Sequence, residues 1–140
     1  MTEIKDMLTT IYNALLANAM ISKLTLAADG THRVNYFESP GTADHDNLFV
    51  VITPVGPPVP SVVGSDNYLS VEFTIQINVE SISRPARNTV AHAIQDEMIA
   101  LGFARLDGAQ NELDEFMTET KRFVDVRRYR GNTKLYDTNY

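Results

Sequence analysis

The sequence predicts an α+β domain: a single, mainly antiparallel sheet of four to five strands with two helices packed on one face. Three observations predict it. From Tyr68 to Glu80 the chain reads YLSVEFTIQINVE, in which Leu69, Val71, Phe73, Ile75, Ile77 and Val79 alternate with Ser70, Glu72, Thr74, Gln76, Asn78 and Glu80. Successive side chains of a strand point to opposite faces, so this is one long strand with an apolar face and a polar face. Two further stretches, 3–20 and 84–101, repeat apolar residues at spacings of three and four, the signature of a helix buried along one side. The link between the two most apolar strand segments lacks a helical pattern, which favours antiparallel pairing, because parallel neighbours need a long crossover.

The first helix is expected over 3–20, with Ile4, Met7, Leu8, Ile11, Leu15 and Ala19 on its apolar stripe, Thr2 as cap, and Glu3 and Asp6 in the first turn. Asp29-Gly30 marks a turn, Arg33 to Phe37 a short strand, and Ser39 to Asn47 a polar loop. Leu48 to Thr53 (LFVVIT) is apolar nearly throughout, as a strand covered on much of both faces requires. The connection 54–66 (PVGPPVPSVVGSD) holds four of the six prolines and the valines Val55, Val59, Val62 and Val63. Proline stiffens such a segment and lowers the entropy lost on docking, so these valines either fold back on the body or insert into a partner.

Ser83-Arg84-Pro85 opens the second helix, with Val90, Ile94, Met98 and Leu101 on its stripe and Gly102 as its stop. Phe103 to Leu106 starts a strand. Asp107 to Glu119 reads as an acidic, turn-like stretch. Arg122 to Arg130 (RFVDVRRYR) reads as a strand with Val124 and Val126 on one face and Phe123 and Tyr129 on the other. The tail after it looks frayed unless a neighbour orders it. Residues 1–140 form one domain in this reading, with no internal repeat.

Composition narrows the function. With no cysteine, disulfides, thiolate metal sites and thiol nucleophiles are excluded together. No apolar run reaches the ~18 residues of a membrane span, and the N-terminus lacks a signal-peptide layout, so a soluble cytoplasmic product is expected. The three histidines are dispersed, and His92 lies off its helix's apolar stripe. Asp44-His45-Asp46 and the acids Glu112, Asp114, Glu115 and Glu119 lack the spacing of zinc or calcium sites. Neither a phosphate loop nor a GxSxG elbow is present, so no catalytic, cofactor or metal residue is assigned.

What remains is charge and interface chemistry. Residues 1–120 carry 16 acids and 6 bases, and residues 121–140 carry 2 acids and 6 bases, an asymmetry that suits head-to-tail association of identical copies. Lys121, Arg122, Arg127, Arg128, Arg130 and Lys134, interleaved with Phe123 and Tyr129, fit a protein interface, intramolecular ion pairing or nucleic acid. The interface candidates are therefore Val55, Val59, Val62, Val63, Arg122, Arg127, Arg128, Tyr129, Arg130 and Lys134.

The helix TEIKDMLTTIYNALLANAMI, the segment LSVEFTIQINVES followed by SRPARNTVAHAIQDEMIALGF, and the closing RFVDVRRYRG resemble the tail terminator (tail-to-head joining) family of long-tailed bacteriophages, in particular small prophage proteins of Gram-positive hosts. The resemblance implies a structural, non-enzymatic protein that forms a ring, typically a hexamer, and caps the tail tube. Its partners would be further copies of itself, the tail tube protein and the head connector protein. Membrane has no part in it, and nucleic acid would enter only as DNA passing through the lumen. The host cytoplasm during assembly, then the virion tail, would be its location. Other readings are a different head–tail connector or tail-completion protein, or a small α+β enzyme or ligand-binding domain.

Overall fold

The computed structural model describes residues 4–38, 47–61, 63–64, 67–134 and 137–140. Within them the domain is α+β, with three helices on one face of a seven-stranded mixed sheet. Both counts exceed the expected two helices and four to five strands, and the reasons are local.

The N-terminal helical stretch is two helices, α1 (Met7–Ala17) and α2 (Ala19–Thr25). Asp6 starts α1, its carboxylate accepting the Leu8 N–H at 3.0 Å. Thr2 lies outside the described residues, and Ile4 is exposed, before the helix begins. Asn18 makes the break. Its backbone is extended (φ −80°, ψ 120°), its N–H bonds the Leu15 carbonyl, and its side-chain oxygen accepts from the Met20 and Ile21 N–H groups. One asparagine thus ends one helix and caps the next. Its Nδ2 donates to Glu97 at 2.9 Å, which ties the break to the third helix.

The sheet is built on β6 (Val71–Ser81), whose residues alternate buried and half-buried along its whole length. β2 (Phe49–Pro54) pairs with it antiparallel, as expected, with Ile52 opposite Ile77. β1 (Val34–Tyr36) pairs with β2 in parallel, which makes the sheet mixed. On the other side of β6 lies β9 (Arg122–Asn132), antiparallel, with Ile75 opposite Tyr129. Two short strands share the far edge of β9: β7 (Phe103–Arg105) and β8 (Glu112–Met117). Gly131 permits the first of these, because a Cβ there would lie 2.9 Å from the Phe103 ring and 3.0 Å from the Gly102 carbonyl.

β8 corrects the reading of Asp107 to Glu119 as turn-like. Five of its six residues are exposed, so no burial alternation marks it as a strand. The proline-rich connection is corrected in part too. β3 (Val59–Pro60) continues the row of β2 along β6, with Val59 opposite Glu72. The Val55 N–H bonds the Thr74 carbonyl at 2.8 Å, and the Ser61 N–H bonds the Ser70 carbonyl at 3.0 Å. β4 (Val63–Gly64) and β5 (Asn67–Tyr68) form a small separate pair.

The third helix, α3 (Arg84–Ala100), is capped by Ser83 as expected and stops at Gly102, which takes a positive φ of 97°. Val90, Ala91, Ile94 and Met98 of α3 join Ile11 and Leu15 of α1 and Ile21 of α2 over Val50, Ile52, Ile75, Ile77, Val79 and Tyr129. All three helices feed this one cluster, so among the described residues the opposite face of the sheet carries no helix. The chain end is held rather than frayed. The Lys5 N–H bonds the Asn139 carbonyl, Lys5 pairs with Asp137, and the Tyr140 ring packs edge-on against Phe73 with centroids 5.2 Å apart.

Candidate assembly surfaces

Strand alternation divides the interface candidates between two faces. Arg122, Arg128 and Arg130 project from the uncovered face, beside Glu72, Thr74, Gln76, Asn78 and Glu80 of β6. There they form a ladder: Arg130 lies 3.8 Å from Glu72, Arg128 donates to Gln76 at 3.0 Å, and Arg122 lies 3.4 Å from Glu80. The Arg122 guanidinium also sits 5.3 Å from the centre of the Phe49 ring, which is buried on this face. The surface is laced by cross-strand pairs, each worth about 1 kcal/mol or less where exposed. Its order comes from several weak pairs acting along one rigid sheet.

Arg127 and Tyr129 point the other way, into the helix side. Tyr129 is a core residue, 1% exposed. Arg127 donates to Gln95 of α3 at 2.9 Å and lies 3.0 Å from Asp125 Oδ1, although its Nε–H is not aligned for a hydrogen bond there. These two are therefore parts of the fold's interior, not of an exposed arginine stripe. Val55 is half-buried, Val59 is 51% exposed, and Lys134 is exposed beyond β9. All three sit at the end of the sheet remote from Arg122. The Val63 backbone lies in β4, while Val62 and the loop Asp44-His45-Asp46 fall outside the described residues. The candidates whose side chains are described do not make one surface.

Around Arg127 lies a polar cluster that sequence reasoning missed. Arg87 of α3, 1% exposed, donates to Asp114 of β8 at 2.6 Å and to the Val124 carbonyl at 3.1 Å. Arg105 bonds Glu112 at 2.5 Å and Gln95 at 3.0 Å. Arg105 and Arg127 face the carboxylates of Glu112, Asp114 and Asp125 across a cleft of about 300 Å³, and Arg87 meets Asp114 from α3. The hydrogen bond from Arg87 holds the Asp114 carboxyl below the usual carboxylate range. Asp125 goes the other way, pushed up by its burial despite the nearby arginines. A charge-balanced cluster of this kind fastens β8, which buries no core residue of its own, to α3 and β9. The signal was present: Arg87 stands three residues before Val90 and occupies the apolar stripe.

A second concavity, of about 390 Å³, opens at the far end of the sheet between Ile4, Met7, Pro54, Pro57, Phe73 and Tyr140. His92 is exposed, 3.6 Å from Asp96. Among the described residues no group of three His, Cys, Asp or Glu side chains is arranged to hold a metal ion. No described helix is long and apolar enough to cross a membrane.

No protein-family model matches the chain, and no curated protein matches it in sequence. Among solved structures the fold is similar to that of a chain in the virion of a native gene transfer agent particle. The TM-score is 0.54 and the identity 16%, over 87% of this chain and 90% of that chain. At that identity the likeness is one of fold.

Proposed function

We propose that this chain is a structural protein of a phage-type virion and, within it, the tail terminator. It would act without catalysis. As a ring, in the resemblance a hexamer, it would cap the tail tube, end its polymerisation and offer its other side to the head connector. It would be made in the host cytoplasm and finish in the virion tail. The observation that carries the reading is the fold shared end to end with a gene transfer agent virion chain, over 87% and 90% of the two lengths. The second sheet face supports it, because a face that carries no helix among the described residues and is laced with cross-strand charge pairs offers a surface for neighbours or a lumen wall.

Mechanistically, one side of the ring would take the place of the next tube ring, and the other side would present no tube-like acceptor, so elongation stops. The direct test is polymerisation of the tail tube protein of the same virion in the presence of this chain. Added in substoichiometric amount, the protein is expected to shorten and narrow the tube length distribution. An unchanged distribution contradicts the terminator role.

A further inference from the structure

The two edges of the sheet differ. At one edge β1 has only 3 residues, and its Tyr36 carbonyl is taken by the Glu38 N–H at 2.8 Å. At the other edge β8 runs for 6 residues. Arg128 of β9 fixes which way its backbone points. The Arg128 N–H bonds the Asn111 carbonyl at 3.0 Å and its carbonyl accepts from the Leu106 N–H, so Arg128, Val126 and Val124 turn their backbone groups toward this edge. Leu113 stands opposite Val126 and Glu115 opposite Val124, and bonded pairs alternate along an antiparallel ladder. Leu113 and Glu115 therefore bond β9, while the N–H and C=O groups of Asp114 and Phe116 point outward. Among the described residues nothing bonds them. An open row of this kind is a template for another strand. It is also held in place. The Lys121 N–H bonds the Met117 carbonyl at 2.8 Å, Phe116 packs on Phe123 with ring centroids 4.8 Å apart, and Arg87 and Arg105 hold Asp114 and Glu112.

We propose that this edge takes an extended segment bearing lysine or arginine, from another protein of the virion, as one more strand beside β8; the proposal deepens the assembly reading above. Charge selects the occupant. Asp114 lies on the helix side of β8 and Glu115 on the other. The Asp114 side chain stays 64% exposed although Arg87 holds it, and Glu115 is exposed. A second copy of this chain is a poor fit. In the longest antiparallel registers that bring outward groups together, Asp114 meets Asp114 or Glu115 meets Glu115. Like charges directly opposite destabilise a strand pair, and edge charges are a common guard against pairing with copies. A segment with cations at those positions turns the same contacts favourable. The apolar side chains suit an added strand as well. Leu113 and Phe116, each 43% exposed, lie on opposite faces of β8, and a strand alongside touches both faces.

Two short synthetic peptides test it, one alternating threonine with lysine and one alternating threonine with glutamate, since threonine favours strands. Amide hydrogen exchange at Asp114 is followed by NMR as each peptide is added to the full chain. The lysine peptide is expected to slow exchange saturably, with an affinity about tenfold or more above that of the glutamate peptide. No slowing, or equal slowing by both peptides, overturns the proposal. Slowing brought on by protein concentration alone makes a second copy the occupant and overturns it too. Phe116→Pro removes an outward N–H, which an edge strand tolerates, whereas Phe116→Leu keeps it. The proline variant should lose the lysine peptide about tenfold relative to the leucine variant, and the two should unfold alike in urea. Equal peptide binding by both variants rules out strand addition. A proline variant far less stable than the leucine variant means that the Phe116 N–H bonds β9, which overturns the edge assignment. Tube-length control by the unaltered chain is read separately: its absence counts against the virion reading, and failure of the peptides counts against this edge alone.

Discussion

Charge reversal at two nearby positions of β9 is expected to have opposite consequences. Arg127→Glu acts on the helix side. The Arg127 side chain is 18% exposed and lies 3.0 Å from Asp125, itself 7% exposed, and it also donates to Gln95 at 2.9 Å. The substitution removes the partner of a buried carboxylate and sets a second carboxylate beside it. Breaking a buried pair costs about 3–5 kcal/mol, a large share of the roughly 5–15 kcal/mol that holds a domain folded. Arg130→Glu acts on the uncovered side, where the arginine is 52% exposed and 3.8 Å from Glu72. A pair like that is worth about 1 kcal/mol or less. Urea unfolding at neutral pH, followed by far-ultraviolet circular dichroism, reads both. The account expects a collapse of the midpoint for Arg127→Glu and a near wild-type curve for Arg130→Glu. Equal shifts, or a less stable Arg130 variant, would refute the assignment of faces.

Asp125 and Asp114 should give stability opposite pH dependences. Asp125 has a raised folded pKa, so its contribution is present below its unfolded value and is lost as pH rises through the folded value. Asp114 has a lowered one, so its contribution is present above the unfolded value and is lost as pH falls through the folded value. Urea midpoints measured against pH should therefore lose the first slope in Asp125→Asn and the second in Asp114→Asn. Gly131→Ala should cost about 1–3 kcal/mol, the usual range for overpacking, because two of the three atoms its Cβ would meet, the Gly102 carbonyl oxygen and the Phe103 Cα, are backbone. A thermal melt checks it, and an unchanged Tm would mean that β7 is free to move.

The parts of the fold that burial dictates were legible in the sequence. β6 is buried on alternate positions, so its period of two stands in the residues themselves. α3 likewise shows its cap, its stripe and its glycine stop. β8 was not legible, because it is held by its backbone ladder and by ion pairs, neither of which leaves an apolar period. The break at Asn18 was hidden by continuity of the apolar stripe, although asparagine is a strong cap. The site was harder to see. Sequence grouped Arg122, Arg127, Arg128, Tyr129 and Arg130 by proximity along the chain, whereas a strand sends neighbours to opposite faces. Tyr129 and Arg127 went to the interior, and only Arg122, Arg128 and Arg130 remain for an outer surface. Arg87 was overlooked because an arginine on an apolar stripe reads as an edge residue until a buried partner is found for it.

Assembly is the claim on which the functional account turns. Electron microscopy of the purified chain, over rising concentration and together with its tail tube, tests it most directly. The account predicts closed rings with a central hole of tube width, seated on tube ends. A monomer in solution that also leaves tube ends bare would contradict it.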